Sequence, residues 1–71
     1  MERRKVKDII VRKPLRKDLG DLRGLAASIK EFGLLHPIGI TAAGELVFGR
    51  RRLEAHKLLG KPEIEVRVFH D

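Results

Sequence analysis

The chain contains no cysteine, tryptophan or tyrosine. Without cysteine it can form no disulfide, no thiolate metal site and no cysteine nucleophile, and it suits a reducing compartment. Its three aromatic residues, Phe32, Phe48 and Phe69, stand at the ends of predicted elements, where we expect core packing rather than base stacking. It also lacks an apolar run long enough to span a membrane or to form a signal peptide. We therefore expect a soluble cytoplasmic domain, nucleoid-associated if DNA is its partner, with no membrane partner.

Positive charge is abundant instead. The 71 residues include 16 Lys and Arg against 10 Asp and Glu, which gives a formal net charge of +6. This balance favours phosphate-bearing partners such as nucleotides or nucleic acid, although charge alone does not choose among them. The length predicts one small domain over residues 1–71, in which residues 1–5 form a flexible basic arm.

The first half of the chain predicts a strand, a loop and a helix. β-Branched residues between Val6 and Val11 indicate a strand, and residues 13–20 form a loop bounded by Pro and Gly. Asp21 is a suitable N-cap, and apolar residues then recur at helical spacing from Leu22 to Phe32, before Gly33 ends the helix.

The second half predicts a β-hairpin, a helix and a last strand. Residues 34–41 and 45–48 indicate two strands joined by a Gly-containing turn. A short helix follows Gly49 and ends at Gly60, with Ala55, Leu58 and Leu59 directed inward, and residues 64–68 alternate as a half-buried strand. The order is β-α-β-β-α-β, and the predicted fold class is α+β with a mixed sheet and two main helices.

The start of the second helix has unusual electrostatics. Gly49 is followed by three consecutive arginines, Arg50 to Arg52, where the helix dipole favours acidic residues. An anion at this position would be bound by free amides, by the dipole and by guanidinium groups together. The alternative is a solvated basic turn in which Arg50 pairs with Glu54 one helical turn later. The residues alone leave both interpretations open.

Other chemistry has less support. The scattered His36, His56 and His70 do not have metal-ligand spacing, and no Ser/His/Asp pattern predicts a nucleophile, so we assign no metal ligand and no catalytic residue. His56, one turn after Arg52, is a candidate auxiliary phosphate contact, with a structural role as the alternative. The predicted hairpin between the two helices argues against a helix-turn-helix. Contacts with a DNA backbone remain open for the N-terminal basic residues Arg3, Arg4, Lys5, Arg12, Lys13, Arg16 and Lys17.

From Ile9 to Val68 the sequence resembles the N-terminal domain of the ParB family, also called the ParB-like nuclease domain, whose fold is shared with sulfiredoxin. Three blocks carry the resemblance: residues 14–16, residues 22–40, and the segment from Gly49 to Ala55 followed by Leu58-Leu59-Gly60. The last block resembles the family's Gly-Glu-Arg-Arg-x-Arg-Ala box. Sulfiredoxin activity is excluded, because that activity needs a cysteine.

The resemblance implies binding of a nucleoside triphosphate, CTP in ParB proteins, with ATP as an alternative and Mg²⁺ held through the phosphates. By position, Gly49, Arg51 and Arg52 would hold phosphates, and Arg16 and Ser28 would approach the same pocket. Arg50 stands where ParB usually has Glu, and Glu54 where it usually has Arg. This exchange weakens the expectation of CTP specificity but not that of phosphate binding, and it makes Arg50 the arginine expected to be structural.

Two functions stay open at this point, beside a third possibility, an interaction domain that has kept the fold and lost the ligand. The first is a nucleotide-binding domain in DNA partition or DNA-associated regulation, with or without weak NTPase activity of the CTPase kind, within a homodimer or a larger ParB-like assembly. The second is a DNA-binding or nuclease module without nucleotide dependence. A nuclease is disfavoured because clustered carboxylates for two-metal hydrolysis are not evident. The 71 residues include neither the helix-turn-helix nor the dimerisation domain of ParB, so they are not expected to perform complete partition alone.

Overall fold

The computed structural model describes residues 2–12, 20–33 and 36–70. Its strands and helices, in chain order, are β1 (Glu2–Lys5), a 3₁₀ turn (Val6–Asp8), α1 (Leu22–Phe32), β2 (Ile38–Thr41), β3 (Leu46–Phe48), α2 (Arg50–Leu58) and β4 (Glu63–Phe69). The predicted loop over residues 13–20 lies outside the described residues except for Gly20, as do Leu34 and Leu35 of the predicted second strand.

The four strands form one mixed sheet in the order β1-β4-β2-β3. The central strands β2 and β4 are parallel, with Ile38 opposite Val66 and Ile40 opposite Val68. Each edge strand is antiparallel to its neighbour: β1 to β4 and β3 to β2. The α+β class, the two main helices and the mixed sheet are therefore confirmed.

The N-terminal segment differs from the prediction. Residues 2–5 are not a flexible arm; they form β1 and pair with β4 from Glu2 opposite Val66 to Lys5 opposite Glu63. The predicted strand from Val6 to Val11 is instead a 3₁₀ turn followed by an isolated parallel bridge between Ile10 and Glu45. Val6 and Ile9 are both buried, and the Ile9 N–H donates to the Val6 carbonyl at 3.3 Å across the turn. The sequence did not predict β1 because its four residues are all charged, and the strand is stabilised mainly through its backbone pairing with β4.

Helix α1 begins and ends where the sequence predicts. The Asp21 carboxylate oxygen Oδ1 accepts hydrogen bonds from the backbone N–H groups of Arg23 at 3.0 Å and Gly24 at 3.3 Å. At the other end, Gly33 has a φ of 81° and its N–H donates to the Ile29 carbonyl at 2.7 Å. Phe32, in contrast, is 66% exposed, so its predicted place in the core is wrong.

The core lies between the sheet, the 3₁₀ turn and α2. Ile38, Ile40 and Leu53 are completely buried, and Ile64 and Val66 nearly so. A second cluster joins α1 to α2 through Ala26, Ile29 and Ala55, with Leu25 and Leu59 at its margin. The first cluster holds α2 against the central strand β2, and the second holds α1 against α2.

The inward face of α2 was only partly predicted. Ala55 is buried and Leu59 is half-buried, but Leu58 is 59% exposed. Leu53 takes the inward position instead. Leu53 and Leu58 lie roughly 140° apart around a helix of 3.6 residues per turn, so one face cannot bury both.

The remaining phenylalanines are exposed at the ends of two strands rather than buried in the core: Phe48 ends the edge strand β3, and Phe69 ends the central strand β4. Phe48 is 42% exposed and Phe69 is 41% exposed. Their ring centroids are 5.8 Å apart with an interplanar angle of 71°, an edge-to-face contact. The Arg67 guanidinium lies 5.6 Å from the Phe69 ring centroid, a cation–π distance. This exposed surface of β3 and β4 therefore combines aromatic rings with a cation.

Candidate anion-binding site at the start of α2

Helix α2 begins at a glycine that no other residue would replace easily. Gly49, the N-cap, has φ 94° and ψ 27°, in the left-handed region. A Cβ on Gly49 would lie 2.6 Å from Cγ2 of Ile38. Among the described residues none caps the first turn with its side chain, and the turn itself contains no acidic residue, so its amides and the positive end of the dipole favour an anion.

Arg50 is engaged within the helix. Its Nε donates to Oε2 of Glu54 at 3.2 Å, and Lys57 Nζ lies 3.1 Å from the same oxygen. The Arg50–Glu54 pair that the sequence predicted is therefore present. This pairing makes Arg50 less available to an external anion than the two arginines that follow.

Arg51 is exposed and extends toward the segment that precedes α1. A Cβ on Gly20 would lie 3.8 Å from Arg51 Nη2, so the N-terminal ends of α1 and α2 are neighbours. At the other end, Gly33 after α1 and Lys61 after α2 line one small cavity. The two helices thus run side by side in the same direction, and the positive ends of their dipoles point the same way.

Arg52 is half-buried and lines a cavity of about 380 Å³. The other lining residues are His36, Pro37, Phe48 and Arg67. Among the described residues that line this cavity, each charged or titratable side chain is basic. The volume falls within the usual range for small-molecule pockets, roughly 300–1,000 Å³. This cavity can accept an anion beside an aromatic ring.

His56 is buried, with 4% of its surface exposed. Its Nδ1 lies 3.0 Å from the Arg52 carbonyl; because a carbonyl only accepts, Nδ1 carries a proton, and in the neutral imidazole Nε2 is then the acceptor. Burial lowers the pKa of His56, the Arg52 carbonyl opposes this shift, and Lys61 lowers the pKa further while Glu65 raises it.

The surroundings of His56 differ from those of Arg52. The imidazole lines a separate cavity of about 200 Å³ with residues such as Ile29 and Gly33 of the α1 end. Its contacts are those of a buried structural residue that stabilises α2. A direct contact between His56 and phosphate stays a prediction.

The structure does not bring every predicted phosphate ligand to the site. Arg16, Lys13 and Lys17 lie outside the described residues. Ser28 is exposed on α1, and its side chain makes no hydrogen bond to the described part of α2. The roles of Arg16 and Ser28 therefore stay predictions that rest on the family resemblance.

The basic residues predicted to contact DNA are spread over two regions. Arg3 lies on β1 with its Nη2 3.9 Å from Glu65, and Arg4 pairs with Glu2. Arg12 Nε lies 3.2 Å from Glu45, next to the start of β3. Since three of these cations are paired with carboxylates, they offer less free charge than the sequence suggests.

The neighbours of Arg52 were missed by sequence reasoning. Arg67 lies opposite Gly39 in the β2–β4 register, and Gly39 lies opposite Phe48 in the β2–β3 register. Strand register is the signal that would have placed these residues together. Within residues 2–12, 20–33 and 36–70, no group of three His, Asp or Glu side chains is placed to hold a metal ion. In the same ranges, no helix has the length and hydropathy to cross a membrane.

The same fold occurs in solved structures. This chain superimposes on a Pnob8-like ParB-N domain with a TM-score of 0.81 and 19% identity, over 99% of this chain and 29% of that one. A C-terminally truncated chromosome-partitioning protein ParB from Caulobacter crescentus, complexed with CTP-γ-S, superimposes with a TM-score of 0.82 and 24% identity, over 99% of this chain and 44% of that one. Sulfiredoxin from Arabidopsis thaliana superimposes with a TM-score of 0.79 and 27% identity, over 99% of this chain and 84% of that one.

The chain thus spans less than half the length of the two ParB-type structures. No curated protein matches it in sequence. The family model of the ParB N-terminal domain, however, matches residues 3–70. Together with the shared fold, this match over nearly the whole chain confirms the resemblance, and the chain belongs to the ParB N-terminal domain family.

Proposed function

We propose that this domain binds a nucleoside triphosphate, with CTP favoured over ATP, and that it acts within a ParB-like protein in DNA partition or DNA-associated regulation. The observation that carries the proposal is the start of α2. There a helix begins at a left-handed glycine with no side-chain cap from the described residues, and Arg52 lines a cavity together with His36, Arg67 and an aromatic ring.

The physical argument is that several weak attractions for an anion converge. The amides of the first turn lack intrahelical acceptors, and the dipole places a partial positive charge at the same end. Guanidinium groups add charge-assisted hydrogen bonds to phosphate oxygens. Phosphates bound here would reduce the repulsion among Arg50, Arg51 and Arg52, which otherwise lie close together.

The residues divide into different roles under this proposal. Gly49 permits the close approach of phosphate to the backbone, and Arg51 and Arg52 bind the phosphates. Arg50 is held by Glu54 and acts mainly through the charge that it adds to the site. Arg16 and Ser28 approach the ligand from the segment before α1 and from α1 itself. A Mg²⁺ ion would be held mainly through the phosphates, as is usual for nucleotide complexes.

The family supports the choice of ligand. The Caulobacter crescentus ParB was solved with CTP-γ-S, and a cavity beside Arg52 that contains Phe48 has space for part of a nucleoside. The exchange of charge between Arg50 and Glu54, relative to the usual ParB box, leads us to expect weaker discrimination among bases.

Isothermal titration calorimetry with CTP, ATP, GTP and CDP in the presence of Mg²⁺ tests the proposal. We expect CTP to bind most tightly, and Arg52→Ala and Arg51→Ala each to weaken its binding by about ten-fold or more, since a hydrogen bond to a charged group contributes about 1.5–3 kcal/mol. Arg12→Ala removes the same charge away from the site and is the matched control. Failure of all four nucleotides to bind, or equal effects of the three variants, would contradict the proposal.

DNA binding without nucleotide dependence is the second candidate. It is favoured by the net charge of +6 and by the exposed cations Arg3 and Lys5 on β1. Fluorescence anisotropy with a short duplex, measured over a salt series with and without CTP, separates the two functions. Steep salt dependence that CTP does not change would support the alternative. A phosphate-release assay on the same samples would detect weak NTPase activity.

A further inference from the structure

A second and larger cavity lies at the other end of α2, in a region that the proposed nucleotide site does not include. Its volume is about 750 Å³. Since α2 has nine residues, its two ends are about 13 Å apart at 1.5 Å per residue. The lining residues come from β1, the 3₁₀ turn and the segment between α2 and β4: Lys5, Val6, Lys7, Lys57, Gly60, Lys61, Pro62 and Glu63.

Backbone hydrogen bonds hold the walls of this cavity. The Val6 N–H donates to the Pro62 carbonyl at 2.9 Å, which joins the 3₁₀ turn to the segment after α2. Gly60, with a φ of 71°, turns the chain at the end of the helix. The N–H groups of Gly60 and Lys61 each donate at 3.0 Å to carbonyls in the last turn of α2. These bonds satisfy carbonyl oxygens that would otherwise repel an anionic ligand.

Four lysines from two distant parts of the chain surround the cavity, and Glu63 is the one carboxylate among the described residues that line it. Lys57 is paired with Glu54 at 3.1 Å, whereas Lys5, Lys7 and Lys61 have no carboxylate within ion-pair distance among the described residues. A cation near the C-terminus of a helix is favoured by the dipole, which accounts for Lys57 and Lys61. It does not account for Lys5 and Lys7, which come from the other side of the cavity; Lys5 lies opposite Glu63 in the β1–β4 register, whereas Lys7 has no such cross-strand neighbour among the described residues.

The inner surface between these charges is largely uncharged. Val6, Gly60 and Pro62 contribute it, and lysine side chains add their methylene stems. A phosphate backbone would satisfy the charges but would leave this apolar surface uncovered. A peptide that carries an apolar side chain between carboxylates would satisfy both features.

We propose that this lysine-lined cavity is a docking site for a short acidic peptide segment of a partner protein, with one or two apolar side chains inserted between flanking Asp or Glu residues. The site is separate from the start of α2, so the same domain can hold a nucleotide at one end of α2 and a protein segment at the other.

Fluorescence anisotropy with a fluorescein-labelled probe, Asp-Glu-Asp-Leu-Phe-Asp-Glu, tests this site. Two control peptides separate the contributions: Asn-Gln-Asn-Leu-Phe-Asn-Gln lacks the charge, and Asp-Glu-Asp-Gly-Ser-Asp-Glu lacks the apolar residues. We expect the probe to bind at least several-fold more tightly than either control. Equal binding of the two acidic peptides would overturn the proposal, because it would show attraction by charge alone.

Paired variants locate the binding. Lys7→Gln with Lys61→Gln should weaken binding of the probe by about three- to ten-fold, as expected for two exposed ion pairs. Arg23→Gln with Lys30→Gln removes the same amount of charge from α1, and this double variant should change the affinity for the probe by less than two-fold. In the unsubstituted protein, the probe should shift the amide resonances of Val6, Gly60 and Glu63. Equal losses in the two double variants, or shifts confined to other residues, would overturn the proposal.

Two further measurements separate this site from the other functions. Arg52→Ala should lose CTP binding but keep its affinity for the probe. The Lys7/Lys61 double variant should lose affinity for the probe but keep CTP binding. A short DNA duplex should not compete with the probe at moderate salt. Competition by the duplex, with loss of duplex binding in the Lys7/Lys61 variant, would identify a nucleic-acid surface and contradict peptide docking.

Discussion

Gly49 lies directly against Ile38, with no space between them for a side chain on Gly49. A Cβ at Gly49 would be 2.6 Å from Cγ2 and 2.9 Å from Cβ of Ile38. Ile38 is completely buried in the central strand β2, so it has little freedom to move away. The start of α2, and with it the direction of the first-turn amides, is therefore determined by packing against the middle of the sheet.

Replacing Gly49 with Ala should destabilise the domain strongly. The left-handed φ costs about 1–2 kcal/mol for a residue with a Cβ, and overpacking against Ile38 adds about 1–3 kcal/mol. Gly60→Ala is the matched control, because Gly60 also has a positive φ but no atom of the described residues lies within 4 Å of the added Cβ. Urea unfolding of both variants measures the difference. Equal destabilisation would mean that Ile38 moves aside and that only the backbone conformation matters.

Much of the fold follows from local signals in the sequence. The Asp21 cap, the stripe from Leu22 to Phe32 and Gly33 predicted α1 because capping and periodicity act over a few residues. The strand β1 was missed because nothing in its charged residues shows that they pair with β4. The pairing partner is distant in the chain, and a single sequence does not specify strand register.

Neutralising Glu54 should strengthen nucleotide binding. In the unsubstituted protein, Arg50 donates a hydrogen bond to Glu54 at 3.2 Å. Glu54→Gln removes a negative charge from the turn next to the phosphate site and releases Arg50 from this ion pair. We expect affinity for CTP to rise by about two- to five-fold, as for a partly exposed charge interaction. Calorimetric titration measures the change.

Glu45→Gln provides the control for this prediction. Glu45 pairs with Arg12 at 3.2 Å, so the substitution makes the same change in net charge elsewhere on the domain and should have little effect on CTP. Weaker CTP binding in Glu54→Gln would show instead that the ion pair with Arg50 positions the first turn of α2 for the ligand.

The candidate site was predictable to a smaller extent than the fold. Residues at the helix start could be found from the sequence, because an acid-free, arginine-rich first turn conflicts with the helix dipole. Their neighbours could not be found, since Arg67 and Phe48 approach Arg52 through the arrangement of three strands. The sequence predicted the phenylalanines in the core because apolar composition does not show which side chains a small domain leaves exposed.

The stability of the domain should fall in mild acid because of His56. Burial lowers the pKa of His56 in the folded state, so between that pKa and the unfolded value of about 6.5 the unfolded chain binds more protons. The stabilisation that neutral His56 provides is fully present at pH values above the unfolded-state pKa. It is lost as the pH falls through the folded-state pKa. The cavity around the imidazole also contains Arg3, Lys61, Glu63 and Glu65.

Urea unfolding at pH values of about 7 and about 5 measures this loss. His56→Gln retains a donor for the Arg52 carbonyl but does not titrate, and it should reduce the decrease in unfolding free energy. His36→Gln, at an exposed position, should leave the decrease unchanged. An unchanged decrease in His56→Gln would assign the pH dependence to carboxylates instead.

The contact between Gly39 and Phe48 should appear as an energetic coupling. A Cβ on Gly39 would lie 2.6 Å from Cδ2 of the Phe48 ring, so Gly39→Ala must displace the ring from its edge-to-face contact with Phe69. We expect a loss of about 1–3 kcal/mol in the free energy of unfolding. In a Phe48→Ala background the same substitution should be neutral or stabilising, because Ala is favoured over Gly in a strand by about 0.5–1 kcal/mol.

A double-mutant cycle measured by urea unfolding gives this coupling directly. The control cycle combines Gly39→Ala with Phe32→Ala, since Phe32 is exposed on α1 and its substitution should add independently. Because Phe48 also lines the cavity beside Arg52, Gly39→Ala should weaken CTP binding as well. Additive effects of Gly39→Ala and Phe48→Ala would show that the ring moves at no cost and does not define the wall of that cavity.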